Sequence, residues 1–253
     1  MISNLDIPVR LRAGAIHLVV SCLVALLAAA LVFFLWYPGE YRNLSGGRNL
    51  FFLVTAVDVV IGPLLTVMVF DMNKGWHHLR RDLAIIALLQ FGALGYGMHT
   101  VYVVRPVALV FERDRFRVIS AADVYMKELE TADPQYRKLP LTGPWTLGTR
   151  ATASAERTET IFLSLEGYDV GQRPSFWQPY ELSQADAKAR AKSVSVLSAR
   201  YVARKAEFEA ILDSLALKRD SAFFLPLMAR VDAVVLLDES GRVAGFAPFD
   251  GFF

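Results

Sequence analysis

The stretch from Ala13 to Tyr37 runs 25 residues without a formal charge. At about 1.5 Å of rise per residue, a helix of that length exceeds the roughly 30 Å hydrocarbon core of a bilayer. Two more such stretches follow. Leu50–Phe70 is interrupted only by Asp58, and Leu83–Val104 carries no formal charge. A single buried helix of this kind suits a large soluble core, but three of them in the first 105 residues argue for membrane spans. The expected fold is therefore three transmembrane α-helices, at about 13–37, 50–70 and 83–104, followed by a small α+β extramembrane domain. The division falls at residues 1–105 and 106–253.

Charge follows the same division. The first 105 residues hold eight Lys and Arg and five Asp and Glu, against 27 and 25 in the whole chain. Neither part carries the strongly basic balance of a nucleic-acid-binding surface, so no nucleic-acid partner is expected. The lone Cys22 excludes an internal disulfide and a Cys-based zinc site. Ala28–Ala30 resembles a signal-peptidase site and Val19–Cys22 a lipoprotein box. The apolar run continues to Trp36 past either cut, however, which favours an uncleaved anchor. Lys and Arg in the short flanks set the orientation. Arg10, Arg12, Lys74, Arg80 and Arg81 lie on one side and Arg42 and Arg48 on the other. The positive-inside bias places the N-terminus in the cytoplasm and, with three crossings, the C-terminal domain outside, in the periplasm of a Gram-negative host. Trp36, Tyr37, Tyr41 and Tyr102 are expected as headgroup anchors, and Pro38 with Gly46 and Gly47 as a tight turn.

Beyond Pro106, Val107–Phe111 and Arg115–Ile119 flank a turn and read as a hairpin. Ser120 with Asp123 reads as a capping box opening a helix to about Glu130, ended by Asp133 and Pro134. Residues 139–148 read as a loop. A helix over 155–166 is expected to bury Ile161, Phe162 and Leu165 and to stop at Gly167. Ser183 with Asp186 opens another, and Phe208, Ile211, Leu212 and Leu215 mark a buried stripe. The tail returns to strands at 223–228, 231–237 and 243–249, giving five strands in all. Lys188, Arg190, Lys192, Arg200, Arg204 and Lys205 read as a solvated helix face.

Asp58 is the most informative residue. A carboxylate at the bilayer centre costs about 2.5–3.5 kcal/mol even on insertion scales. It is retained either to meet a partner or as a neutral acid hydrogen-bonded within the bundle. Gly62 and Pro63 interrupt the same helix, removing a backbone hydrogen bond and freeing a carbonyl near Asp58. With spans two and three antiparallel, Gln90 and Tyr96 bracket its depth. Ser21, Ala25 and Ala29 in span one and Ala93 and Gly97 in span three allow close helix approach. His77 and His78 cannot share a helix face and have no partner ligands, so no metal site is expected. HExxH, GxSxG, P-loop and CxxC patterns are missing, and Asp58 stands alone within the spans, against an aspartyl-protease dyad. The expectation is a non-enzymatic protein without a cofactor.

Phe34–Pro38 with Tyr41, Val57–Thr66 with Val69 and Phe70, Asp82 and Leu83 with Ala87–Gln90, Tyr96 and Gly97, and Thr100–Tyr102 leading into Arg105–Val107, Leu109–Phe111 and Asp114–Phe116 together resemble the type IV pilin accessory proteins, the TfpX/TfpZ group and the fimbrial accessory proteins akin to them. Gly245–Gly251 resembles that family's C-terminus. The resemblance implies an inner-membrane, chaperone-like factor for the stability, folding or assembly of a type IV major pilin. Besides the lipid bilayer, its partner would be that pilin's transmembrane helix and head. Asp58, Gly62 and Pro63 are then candidates to receive the helix, and Arg105 and Pro106 form the junction between membrane and domain. Crosslinkers at Ala56, Val59 and Ala93 are expected to capture the pilin. A membrane-anchored sensor would need a cytoplasmic output module, for which the short cytoplasmic segments leave no room. A small carrier using Asp58 as a proton site would need a polar lining that Ser21, Thr55, Thr66 and Gln90 barely provide.

Overall fold

The computed structural model describes residues 7–71 and 75–253, so Lys74, counted above for orientation, lies outside it. The chain forms two compact units. One holds the described residues up to Leu35 together with Gly47–Val103; the other holds Trp36–Gly46 together with Val104–Phe253. The second unit thus takes in more than residues 106–253.

Four helices form in the N-terminal half: α1 (Ile7–Ala30), prolonged by a π-helical segment Leu31–Trp36, then α2 (Tyr41–Leu44), α3 (Gly47–Val69) and α4 (Trp76–Val103). Three of these segments, Ile7–Trp36, Gly47–Val69 and Trp76–Val103, are long and apolar enough to cross a membrane. Each starts earlier than its apolar run, because polar and charged stretches such as His77–Asp82 form backbone helical hydrogen bonds as readily as apolar ones. In the first unit α1 and α4 each pack along α3. Glycine sets the closest approaches. A Cβ on Gly14 would lie 2.3 Å from Val67 Cγ2, and one on Gly97 would lie 2.2 Å from Val54 Cγ1. A His17 Nδ1 contact to Thr66 Oγ1 at 2.5 Å and an Arg10–Asp71 ion pair at 3.2 Å tie α1 to α3. Leu26, Leu27, Leu53, Met68, Leu88 and Leu89 lie exposed on the outer faces, a surface suited to lipid.

The second unit is built on a mixed sheet: β1 (Pro106–Glu112), β2 (Arg115–Ser120), β3 (Trp145–Thr149), β4 (Trp177–Pro179), β5 (Lys192–Ser193), β6 (Phe223–Met228), β7 (Ala233–Leu237) and β8 (Val243–Ala247). The order is β4-β3-β1-β2-β6-β7-β8, with β5 pairing β6. β1–β3 and β2–β6 are parallel and the other pairings antiparallel. β1 and β7 are buried along their whole length, which explains their unbroken apolar runs. The helices are α5 (Arg157–Leu165), α6 (Gln184–Arg190), α7 (Val194–Arg200) and α8 (Lys205–Ser214). In α8, Phe208 and Leu212 are buried, with Ile211 and Leu215 packed beside them.

Several expectations are corrected. The Ser120 amide does donate to the Asp123 carboxylate at 3.1 Å, but only two 3-10 turns follow, Ala121–Asp123 and Met126–Glu128. Strand β3 begins inside the expected loop. Ile161, Phe162 and Leu165 face outward, Leu165 being 80% exposed. The inward face of α5 is Thr160 and Leu163, since Thr160 Oγ1 accepts a 3.0 Å bond from the buried Arg173. The expected stop at Gly167 stands, at φ +96°. Tyr37 and Tyr41 are not headgroup anchors. Tyr37 is fully buried in the second unit, and the Tyr41 ring meets Phe246 edge-on at 5.4 Å. The linker also carries a helical turn, and its Leu44 carbonyl accepts the Arg230 amide at 3.0 Å. Nor are all the basic residues from 188 to 205 simply solvated: Arg204 lies 4.1 Å from the Phe249 ring centroid, and Arg200 lies 4.2 Å from that of Phe253.

At the turn between β7 and β8, burial would raise the Asp238 pKa. Hydrogen bonds from Ser240 and Arg242 outweigh it and hold the carboxyl at about 2.

Candidate functional site in the helical unit

Because α1 and α4 flank α3 without packing on each other as closely, a slot opens between them with α3 as its floor. The slot encloses about 150 Å³. That is room for one side chain or a few waters of about 30 Å³ each, not for a helix. One wall is α1, presenting His17, Ser21 and Ala25 at four-residue spacing. The other is α4, presenting Ala87, Gln90, Phe91 and Leu94. These are the periodicities of single helix faces. The floor is Thr55 and Asp58.

Thr55 Oγ1 is satisfied by the Phe51 carbonyl one turn earlier, at 2.9 Å. The Asp58 carboxyl is different: among the described residues it makes no hydrogen bond and no ion pair, and it faces the slot half-buried. The internally bonded acid considered from the sequence is therefore not what the fold contains. An acid in an apolar groove, open on one side, offers a strong hydrogen bond to whatever lies across the opening.

Three of the other expected residues gather here. α3 continues through Pro63, which lacks the amide that would bond the Val59 carbonyl. The neighbouring Asp58 carbonyl accepts a bond from Gln90 Nε2 at 3.1 Å. Gly62 makes room for it, since a Cβ there would fall 1.8 Å from Gln90 Nε2. Tyr96 does not join them; it is 77% exposed on the outer face of α4. Ala56, Val59 and Ala93 do not line the slot either. Arg105 and Pro106 belong to the second unit. The buried Arg105 donates from Nε and Nη2 to the Pro140 carbonyl at 3.3 and 3.2 Å, and Pro106 opens β1 opposite Ser120. Neither is among the residues that line the slot. Sequence reasoning picked out Ser21 and Ala25 for close helix approach but did not place them, or His17, beside Asp58. Among the described residues no group of three or more His, Cys, Asp or Glu is placed to hold a metal ion.

Gly62→Ala is expected to swing the flexible Gln90 amide away from the Asp58 carbonyl and to cost about 1 kcal/mol, the usual worth of such a bond between membrane helices. Gln90→Ala should cost a similar amount, and the double variant no more than either. A double-mutant cycle by thermal unfolding in detergent measures this, and full additivity would show that the two residues do not share one interaction.

Comparison with known proteins places these observations in context. The family described as "Fimbrial assembly protein FimB" matches residues 6–46. Two proteins of Dichelobacter nodosus, the fimbrial assembly proteins of serogroup E1 and serogroup I, are each 35% identical over 248 residues, covering 95% of this chain and 95% of theirs. The fimbrial assembly protein of serogroups C1 and C2 is 40% identical over 121 residues, 48% of this chain and 92% of its own. No solved structure matches.

Proposed function

We propose that this chain, which belongs to the fimbrial assembly protein family and has its role in fimbrial biogenesis, acts as a non-enzymatic, chaperone-like protein of the bacterial inner membrane that holds the major type IV fimbrial subunit before assembly. The observation that carries the reading is the Asp58 carboxyl, without a partner among the described residues, at the floor of the slot between α1 and α4. A helix of the subunit laid across that opening would bury the apolar rim and project one polar side chain onto Asp58. Close packing of small residues supplies the rest of such an interface, and Ser21, Ala25 and Ala87 line it.

In this reading the N-terminus is cytoplasmic and the second unit periplasmic, where it meets the subunit's head. The linker between α1 and α3 supports the topology. It is built into the second unit, so linker and C-terminal segment share one side, as three crossings require. The test is deletion of the gene, with the subunit measured in membranes and fimbriae counted on the cell surface. Loss of surface fimbriae, with the subunit depleted or stranded in the membrane, is expected. Unchanged subunit levels with normal fimbriae would end the proposal.

A further inference from the structure

The walls of the slot, α1 and α4, pack along α3 far more closely than along each other. Their spacing therefore depends on how their ends are held. Both run straight into the second unit, since Leu35 is followed by Trp36 and Val103 by Val104. Tyr37 and Arg105 stand two residues beyond those ends, at most about 7 Å of extended chain. α3 begins in the same way, at Gly47 directly after Gly46. The peptide bonds impose these limits at any angle between the two units.

Inside the second unit the three chain segments meet at Arg230, in the turn between β6 and β7. The Arg230 amide donates to the Leu44 carbonyl at 3.0 Å. Its stem crosses Gly46, where φ is +69° and a Cβ would lie 3.1 Å from Arg230 Cδ. Its guanidinium, like that of Arg105, lies within electrostatic reach of the buried Tyr37 hydroxyl. Burial lowers the local dielectric and strengthens such an interaction over its worth in water. Ser45, Val104 and Arg230 also share the lining of one cavity of about 410 Å³. Arg105 is fixed in turn, because its guanidinium donates to the Pro140 carbonyl and its own carbonyl accepts from the Ala121 amide at 2.9 Å.

We propose that Arg230, joined to Tyr37, Gly46 and the Leu44 carbonyl, is a positioning residue that fixes the ends at which α1 and α4 enter the second unit and so sets the width of the slot between them. At about 150 Å³ the slot is matched to one side chain, and packing at that scale responds to a single methylene group. Loosening the clamp spreads the slot over a range of widths. The fraction of the protein that fits the occupant falls, and apparent affinity falls in proportion. Arg230 does not line the slot and its side chain is exposed, so changing it leaves the slot's own surface intact. The identity of the occupant rests on the function proposed above; the clamp itself does not.

The test uses the full-length protein in nanodiscs, with Cys22→Ser to remove the native thiol. Spin labels at Leu27→Cys on α1 and Tyr96→Cys on α4, both outward-facing, report the spacing of the walls by electron–electron resonance. In the same preparations without labels, a photoreactive residue at Ala87 reports capture of the purified fimbrial subunit. Arg230→Ala is expected to broaden the spacing and to lower capture about fivefold. Tyr37→Phe, which keeps the buried ring, should do the same, while Arg230→Lys should stay near the parent in both. Arg230→Met, which keeps the stem over Gly46 and loses the charge, should follow alanine and replaces it if the alanine variant does not fold. A purely structural role would lower the yield of folded protein and leave the spacing within it unchanged. Parental spacing in both Tyr37→Phe and the uncharged Arg230 variants would overturn the clamp, and broadened spacing with parental capture would overturn its control of the slot. Capture in none of the proteins, the parent included, would overturn the function, and the spacing would still decide the clamp.

Discussion

Asp58→Leu is expected to make the protein more stable and its strain less fimbriated. A carboxyl among apolar helices costs about 2.5–3.5 kcal/mol on insertion scales, and Asp58 has no partner among the described residues to offset that cost. Leucine removes the penalty and fills part of the 150 Å³ slot, so thermal unfolding in detergent should move to higher temperature. The same change deletes the one strong hydrogen bond offered to an incoming helix, worth about 1–2 kcal/mol in model membrane peptides. Surface fimbriae should fall accordingly, about five- to thirtyfold if assembly tracks occupancy. Opposite signs in stability and activity separate a binding residue from a structural one, for which both would fall. Asp58→Asn separates binding from proton carriage. An amide keeps the hydrogen bond and cannot titrate, so this variant should retain most assembly, whereas a proton carrier would be dead.

Glu112→Ala is expected to have the largest effect on stability, a loss of about 3–5 kcal/mol. Glu112 closes the β1–β2 hairpin from the inside. Its buried carboxylate accepts from Arg117 Nε at 2.7 Å and from the Gly171 amide at 2.9 Å, while Arg117 Nη2 also donates to Asp169 at 2.7 Å. Removing the carboxylate leaves the Gly171 amide without its acceptor and the Arg117 guanidinium with Asp169 alone, and breaking a buried pair costs more than the pair contributes. Gly171 is held tightly to this carboxylate, since a Cβ there would fall 2.5 Å from Glu112 Oε2. Trp177 reports on the same spot, because its indole donates to the Gly171 carbonyl at 2.8 Å. Urea unfolding followed by tryptophan fluorescence should therefore show the loss directly. Glu112→Gln should lose less, since its amide oxygen still accepts one of the two bonds. An unchanged midpoint for Glu112→Ala would mean that this cluster does not hold the hairpin.

The parts of this fold that read clearly from the sequence are those fixed by local pattern. Apolar length marks α1, α3 and α4; an unbroken apolar run marks β1 and alternation marks β2; the stripe from Phe208 marks α8; Gly167 marks the end of α5. The rest depends on partners far away in the chain. β3 is a strand because Ala108–Phe111 lies beside it in parallel, and β5 is two residues long and exists only against β6. The α5 face was misread because Arg173, from a separate turn, draws the polar Thr160 inward and leaves Ile161, Phe162 and Leu165 outside. The linker looked like a membrane turn, yet Tyr37, Tyr41 and Leu44 are core residues of the second unit.

The site divides in the same way. Asp58, Gly62, Pro63 and Gln90 stand out because each violates the expectation for an apolar helix, and α3 and α4 bring them together. Tyr96 was placed by depth alone, and depth along a helix says nothing about its face. Thr55 and Ser21 read as too sparse to line a conduit. They suffice for a slot one side chain deep.

The central claim is that a helix of the fimbrial subunit lies across the opening between α1 and α4. Photo-crosslinking in living cells tests it most directly, with a photoreactive residue placed in turn at Ser21, Ala25, Ala87 and Leu94, which line the slot, and at Leu27, Leu53 and Leu88, which face outward. The account predicts subunit adducts at the first four positions, lost in the Asp58→Leu background, and none at the outer three. Equal capture on both faces, or adducts indifferent to Asp58, would contradict it.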